Sequence, residues 1–272
     1  MSTTVTRIIS IALLFVAIGL AAFLINSIKY DIELEEKTKQ GEAVIIEKLK
    51  FIREAEKVYL EVHGQFTSDW DKLISFIDTA DYYVTQRTEE IITLAYGADS
   101  IVVHIDTIDV IPAKDRIFKK TNYITAADNG TFLGFNASLG QSIIIGSKVY
   151  YYSSENDDRR KTLISAMQGT VTQLAKMNPG DRISKGENLV TLLEYKFDPN
   201  MDISNMAYIP GSDKKFDIFA DKINKSGVMI DVVEVKNTIP VDPARNEDNE
   251  QRNRKPLRFG SRTDVTTSGN WE

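Results

Sequence analysis

Between Ile8 and Ile25 the chain reads IISIALLFVAIGLAAFLI, 18 residues without a charge. As an α-helix such a run rises about 27 Å, close to the ~30 Å hydrocarbon core of a bilayer. Lipid offers no partner for an open backbone group, so a single apolar segment that crosses it must be helical. The run is longer than the apolar stretch of a secretory leader, and no A-x-A site follows it, which predicts an uncleaved anchor. Arg7 precedes the run, whereas beyond it Lys29 is followed by Asp31, Glu33, Glu35 and Glu36. The positive-inside rule then leaves the N-terminus cytoplasmic and the bulk of the chain on the other side.

The remainder is long enough for one large or two modest domains: 272 residues in all, 42% of them hydrophobic. A net charge of −6 without a clustered basic face argues against a nucleic-acid partner. The absence of cysteine removes disulfides, Cys-ligated zinc and thiol chemistry together.

Residues 1–27 form the cytoplasmic tip and anchor in this reading, and residues 28–64 an amphipathic stalk helix. Ile45, Leu49, Ile52, Tyr59 and Val62 recur at helical spacing, Glu42 and Glu56 interrupt the stripe, and Gly64 follows as a C-cap. Packing on the chain's own globular domain is the expected use of this stripe, and oligomer packing the other. Residues 65–116 read as a short helix capped by Ser68 with Asp71 three residues on, burying Trp70, Leu73, Ile74 and Ile77. Two strands follow, IITLAYG and IVVHIDTIDVI, turning at Gly97-Ala98-Asp99. Residues 196–242 return to strand language, with turns at Pro210-Gly211-Ser212 and Lys225-Ser226-Gly227. Residues 243–272 are polar and charge-mixed, a tail expected to be mobile or ordered against a partner, with Phe259 and Trp271 as anchors.

The intervening residues 117–195 contain an internal repeat. NGTFLGFNASLGQSIIIGSKVYYY aligns with QGTVTQLAKMNPGDRISKGENLVTLL, matching Gly130 to Gly169, Gly140 to Gly180 and Gly146 to Gly186. Each glycine permits a positive φ or a close backbone approach, and between them short strands bury alternate residues. Two such units can close face to face as a pseudo-twofold sandwich; two ordinary glycine-rich hairpins would give the same spacing. The pattern resembles the barrel-sandwich hybrid of biotinyl and lipoyl domains and of periplasmic adaptor proteins. In the carrier families the modified lysine stands where this chain has Asp158. Lys161 is three residues late, and Ala166-Met167 lies beside Gly169 rather than at the hairpin, so no cofactor is expected. Adaptors join the halves by a long helical hairpin, and here the joint is about ten polar residues.

A membrane helix running into IIEKLKFIREAEKVYLEVHGQFTSDWDKLISFI, with YGADSIVVHIDT and YIPGSDKKFDI beyond, is similar to pilin-like envelope proteins of Bacteroidota. That resemblance implies an α+β class: a transmembrane helix continuing into an amphipathic one, a pilin-like β domain in two parts, and the sandwich inserted between them. The prepilin-peptidase motif of type IV pilins is absent from MSTTVTRIISIALL, so processing into a filament is not expected.

Catalytic constellations are missing. His63 adjoins a helix-ending glycine and His104 lies on a strand beside Asp106, with no G-x-S-x-G elbow. Glu155, Asp157 and Asp158 cluster at a turn but lack the order of a calcium loop, so no metal is assigned. The sequence thus points to a non-enzymatic structural subunit of an envelope-spanning secretion, motility or transport assembly in the bacterial inner membrane. Its soluble part would be periplasmic. Its partners would be lipid through the N-terminal helix, and copies of itself or other envelope proteins; an adaptor subunit of an export pump is the alternative.

Overall fold

The computed structural model describes residues 3–93, 99–155, 157–239 and 256–272. One helix, α1 (Thr3–His63), absorbs both anchor and stalk: its 61 residues rise about 91 Å, three times a hydrocarbon core. Among the described residues it is the one helix long and apolar enough to cross a membrane, with a window of mean hydropathy 2.1, none of it buried. Every side chain from Ala12 to Lys37 is exposed, and burial begins at Glu42. The sequence change is abrupt at Ile25, so about 25 Å of exposed helix separates the apolar run from the first buried residue. Gly64 ends the helix with φ +70°, its N–H donating 2.8 Å to Leu60 O, a C-terminal cap that a residue with a side chain adopts reluctantly.

Beyond α1 come α2 (Trp70–Thr79), β1 (Asp81–Thr93), β2 (Asp99–Pro112), α3 (Ala113–Phe118) and β3 (Lys119–Thr125). The repeat supplies β4 (Gly130–Phe135), β5 (Ser142–Ile143), β6 (Lys148–Ser154), β7 (Asp157–Ile164), β8 (Gly169–Leu174), β9 (Arg182–Ile183) and β10 (Asn188–Tyr195). A 3₁₀ turn at Ile203–Asn205 precedes β11 (Asp217–Lys225), β12 (Val228–Lys236) and β13 (Arg258–Gly260). The class is mixed helix and antiparallel sheet.

These elements form two compact units. The first takes α1 up to Arg53, residues 66–70 and residues 205–272; the second takes the last turns of α1 from Glu54 to Gln65 and residues 71–204. The helix and hairpin of residues 71–112 therefore belong with the sandwich strands.

In the first unit, Ile45, Leu49, Phe51 and Ile52 are the buried face of α1, and Glu42 lies on it as a buried carboxylate. The sheet order is β11-β12-β13. Ser226 and Gly227 both take positive φ between the paired Lys225 and Val228, the conformation a two-residue hairpin needs to match strand twist. The expected mobile tail is corrected for its described part: residues 256–272 are ordered, Phe259 is fully buried opposite Val235, and the turn beyond folds back on β13. A large aromatic beside a backbone able to pair outweighs the polarity of its neighbours. The helix is tied to these segments by Lys48 Nζ donating 2.6 Å to Tyr208 O and by Arg53, 2.5 Å from Glu272. Residues 243–255 of the expected tail lie outside the described residues.

Helix α2 begins at Trp70, so Asp69 rather than Ser68 flanks it, and Asp69 N–H donates 3.1 Å to Thr67 Oγ1; from Asp71 onward it belongs to the second unit. Leu73, Phe76 and Ile77 are buried on it, with Ile74 half-buried. Val62, placed in the apolar stripe from its spacing, is exposed, while Glu56 of the same helix is fully buried. Glu54 is an ion-pair centre, 3.3 Å from Lys57 and 3.4 Å from Lys196. Burial pushes its carboxyl up, but the two ammonium groups outweigh it and the pKa lies below the ordinary value. A depressed carboxyl stabilises the fold above its unfolded pKa and loses that contribution as pH falls through the folded one. The melting temperature of the full chain is therefore expected to fall below about pH 4.5. Glu54→Gln should melt lower at pH 7 and converge with the parent once acid has protonated the Glu54 carboxyl in the folded state; parallel pH profiles for the two would refute the assignment.

Candidate functional site

The six glycines matched in the sequence sit at equivalent places in two interlocked sheets, ordered β3-β10-β8-β5 and β7-β6-β4-β9. Each sheet borrows a two-residue strand from the other half: β5 pairs with β8, and β9 with β4. The hydrogen bonds repeat in the same order. Gly140 N–H donates to Val171 O and Gly180 N–H to Phe132 O, both at 2.8 Å; Gly146 N–H reaches Ser165 O at 2.8 Å and Gly186 N–H reaches Ala126 O at 2.9 Å. Phe132 and Val171, Ile143 and Ile183, Val149 and Leu189, and Tyr150 and Val190 are equivalent and all are buried in one core. The one-residue difference in glycine spacing falls at Ala137 in the first half and Lys176-Met177 in the second, between matched bonds to Val149 O and Leu189 O.

Five of the six have positive φ. Gly130 is the exception, and its reason is space: a Cβ there would lie 1.9 Å from Ser153 O, where β4 and β6 cross closely. Gly169, its equivalent, combines φ +145° with a Cβ position 2.8 Å from Leu193 O.

The two halves differ on their surfaces. Leu139, Ile144 and Ile145 are 65%, 66% and 67% exposed, at turns where the second half has Pro179, Ser184 and Lys185. The turn geometry is the same in both, so the fold does not require those apolar tips.

The joint between the halves is a β-hairpin: β6 pairs with β7 from Lys148 opposite Ile164 to Ser154 opposite Asp157. The ten or so polar residues of the joint mostly extend the two strands. Asp158 lies in β7, and Lys161 donates 2.9 Å to Ser154 Oγ while standing 3.8 Å from Asp157. Asp157 accepts from Arg159 Nε at 3.0 Å, and that hydrogen bond holds its carboxyl below the usual range. Among the described residues no three His, Cys, Asp or Glu side chains group as metal ligands. At the far end of β10, Gln168 and Asn122 each donate 2.8 Å to the Glu194 carboxylate and lower its pKa, pinning β10 to β3 and to the Gly169 turn.

The histidines lie apart. His63 stacks on Tyr59 at 4.1 Å and meets Phe76 edge-on at 5.3 Å, beside a shallow cleft of about 510 Å³ that Asp71, Lys72 and Ser75 also line. His104 is 3.4 Å from Glu90 across the exposed β1-β2 pair. In the first unit a second cleft of about 500 Å³ lies between Gly41, Val44 and Ile45 of α1 and the Ile209–Ser212 turn.

What sequence reasoning missed is the length of the β1-β2 ribbon. The first strand starts at Asp81, ten residues before the apolar IITLAYG, because DYYVTQRTEE is polar enough to hide its alternation. Gly97 and Ala98 of the expected turn lie outside the described residues.

No known family model matches the chain, and a search of characterised proteins finds no relative.

Proposed function

We propose that this chain is a membrane-anchored structural subunit of an envelope-spanning assembly, with its soluble units in the bacterial periplasm. The observation that carries this reading is α1: an apolar N-terminal half, exposed from Ala12 onward, runs without a break into a half tied to an antiparallel sheet. That is the plan of a pilin-like subunit. The interlocked, glycine-punctuated sheets support reading residues 117–195 as a barrel-sandwich hybrid used for packing. The interlocked sheets also favour a second reading, an adaptor subunit of an export pump, in which the tight β6-β7 hairpin replaces the tunnel-forming helices.

Membrane fractions should retain the full chain through alkaline carbonate washing, and protease added to spheroplasts should cleave the soluble units while sparing the N-terminal tip. Release by carbonate, or protection of the soluble units, would overturn the anchored periplasmic assignment. Purification in mild detergent from native membranes should then give a defined complex by native mass. Other envelope proteins in it favour the structural assembly, and an exporter favours the adaptor.

A further inference from the structure

The ribbon of β1 and β2 is a sheet of two strands, about 43 Å long at 3.3 Å per residue. Ile91 pairs with Ile101, Glu89 with Val103, Arg87 with Ile105 and, beyond a bulge at Ile108, Tyr83 with Val110. Strand alternation puts these pairs on one face. Tyr83, Ile91, Ile101, Val103, Ile105 and Val110 are between 42% and 67% exposed. The other face carries Glu90, Thr88, Gln86, His104 and Asp106 together with Tyr82, Val84, Ile92, Val102 and Ile111, and of these apolar side chains Ile92 is exposed and the rest are half-buried. The first face is the one whose apolar side chains are exposed, and among the described residues no further strand joins the ribbon.

An isolated two-stranded hairpin is marginal in water, because one layer cannot bury its own apolar side. Six such side chains at about 100 Å² each present on the order of 600 Å², the upper end of what a soluble monomer exposes in one patch. With its polar rim the face approaches the ~800 Å² that each partner of a standard interface contributes.

The charges on this face identify the partner. Arg87 and Glu89 stand side by side at its centre, 2.8 Å apart. A two-fold axis crossing the ribbon between them lays Arg87 of each copy over Glu89 of the other, and Ile105 over Val103. The face is complementary to itself in charge and in apolar content, the property of an isologous contact. We infer that the apolar face of the β1-β2 ribbon is a homodimer interface, in which a second copy packs ribbon on ribbon to make a two-layered, four-stranded sandwich. This goes beyond the assembly reading and rests on the ribbon alone, anchored or not.

The test uses the full chain in detergent and measures self-association of Arg87→Glu and Glu89→Arg. The first variant has an all-acidic centre and the second an all-basic one, so each alone should associate about tenfold or more weakly than the parent. An equimolar mixture should recover association to within about threefold of the parent, because only a contact between copies restores opposite charges. The intramolecular pair stays broken in both variants, so rescue on mixing cannot come from a repaired monomer. Circular dichroism should show both folded.

Cross-linking gives a second readout, made clean by the absence of native cysteine. Val103→Cys mixed with Ile105→Cys should form a disulfide-linked dimer, and Thr88→Cys on the opposite face should not. Failure of the charge mixture to rescue, equal cross-linking from both faces, or capture of a different protein by Val103→Cys in native membranes would each overturn the homodimer.

Discussion

Alanine at Gly130 is expected to destabilise the sandwich by about 3–5 kcal/mol, enough to unfold or render insoluble much of the second unit at 37 °C. The added methyl would stand 1.9 Å from Ser153 O and 2.9 Å from both Ser153 C and Ser154 Cα. All three are backbone atoms, so no side-chain rotation relieves the clash, and β6 would have to leave β4. That separation would also break the borrowed pairing of Gly130 with Ile183 in β9. Gly140→Ala is the informative contrast. Its Cβ meets nothing within 4 Å, so the cost is that of holding a positive φ, about 1 kcal/mol. Gly169→Ala should fall between, with both a positive φ and a backbone oxygen at 2.8 Å. Thermal unfolding and limited proteolysis of the purified full-length variants check the ranking. A Gly130→Ala protein that melts like the parent would mean that β4 and β6 do not approach as described.

That contrast explains why the repeat was legible while the way its halves interlock was not. Glycine reports a local demand, a positive φ or a close approach, and such demands recur visibly when the same turn is built twice. The exchanged strands β5 and β9 are two residues each, too short to leave a periodic signal, and their partners are fixed by closure of the whole core. The same limit hid the polar half of β1, whose pairing with the apolar β2 holds it extended. Glu42 and Glu56 read as breaks in an apolar stripe, yet both are buried. Spacing locates a helix face but does not say which of its residues the rest of the chain reaches. Val62, on the right spacing, stays exposed for that reason.

The candidate surfaces divide along the same line. Alternation in IVVHIDTIDVI reveals one apolar strand face in the sequence, whereas its exposure emerges only from the fold, where among the described residues no third strand joins the pair. The apolar turn tips Leu139, Ile144 and Ile145 stand out by comparison with Pro179, Ser184 and Lys185, and that comparison requires knowing that the turns are superimposable.

Phe259→Ala is expected to cost the first unit about 3–5 kcal/mol, the range for removing a fully buried phenylalanine. β13 pairs with β12 over three residues, too few to hold a strand by backbone bonds alone. The aromatic ring supplies the missing burial, and Leu257 beside it is buried as well. Asn270 then closes the segment on itself, accepting from Arg258 N–H at 3.1 Å and donating to Pro256 O at 2.9 Å. On the neighbouring strand Glu234, nearly buried, takes a 2.8 Å hydrogen bond from Arg262 Nε. Losing the ring would release β13 and with it the Arg53–Glu272 pair that ties the C-terminus to α1. Trp271→Ala, at a partly exposed ring 5.9 Å from Arg53, removes less burial and should cost about 1 kcal/mol. Phe259→Leu should recover most of the loss by refilling the site. Thermal melts of the three full-length variants, with proteolysis to see whether residues 256–272 become cleavable, measure this. A Phe259→Ala protein within about 0.5 kcal/mol of the parent would show that the unit is complete without its last strand, since a surface substitution costs no more than that.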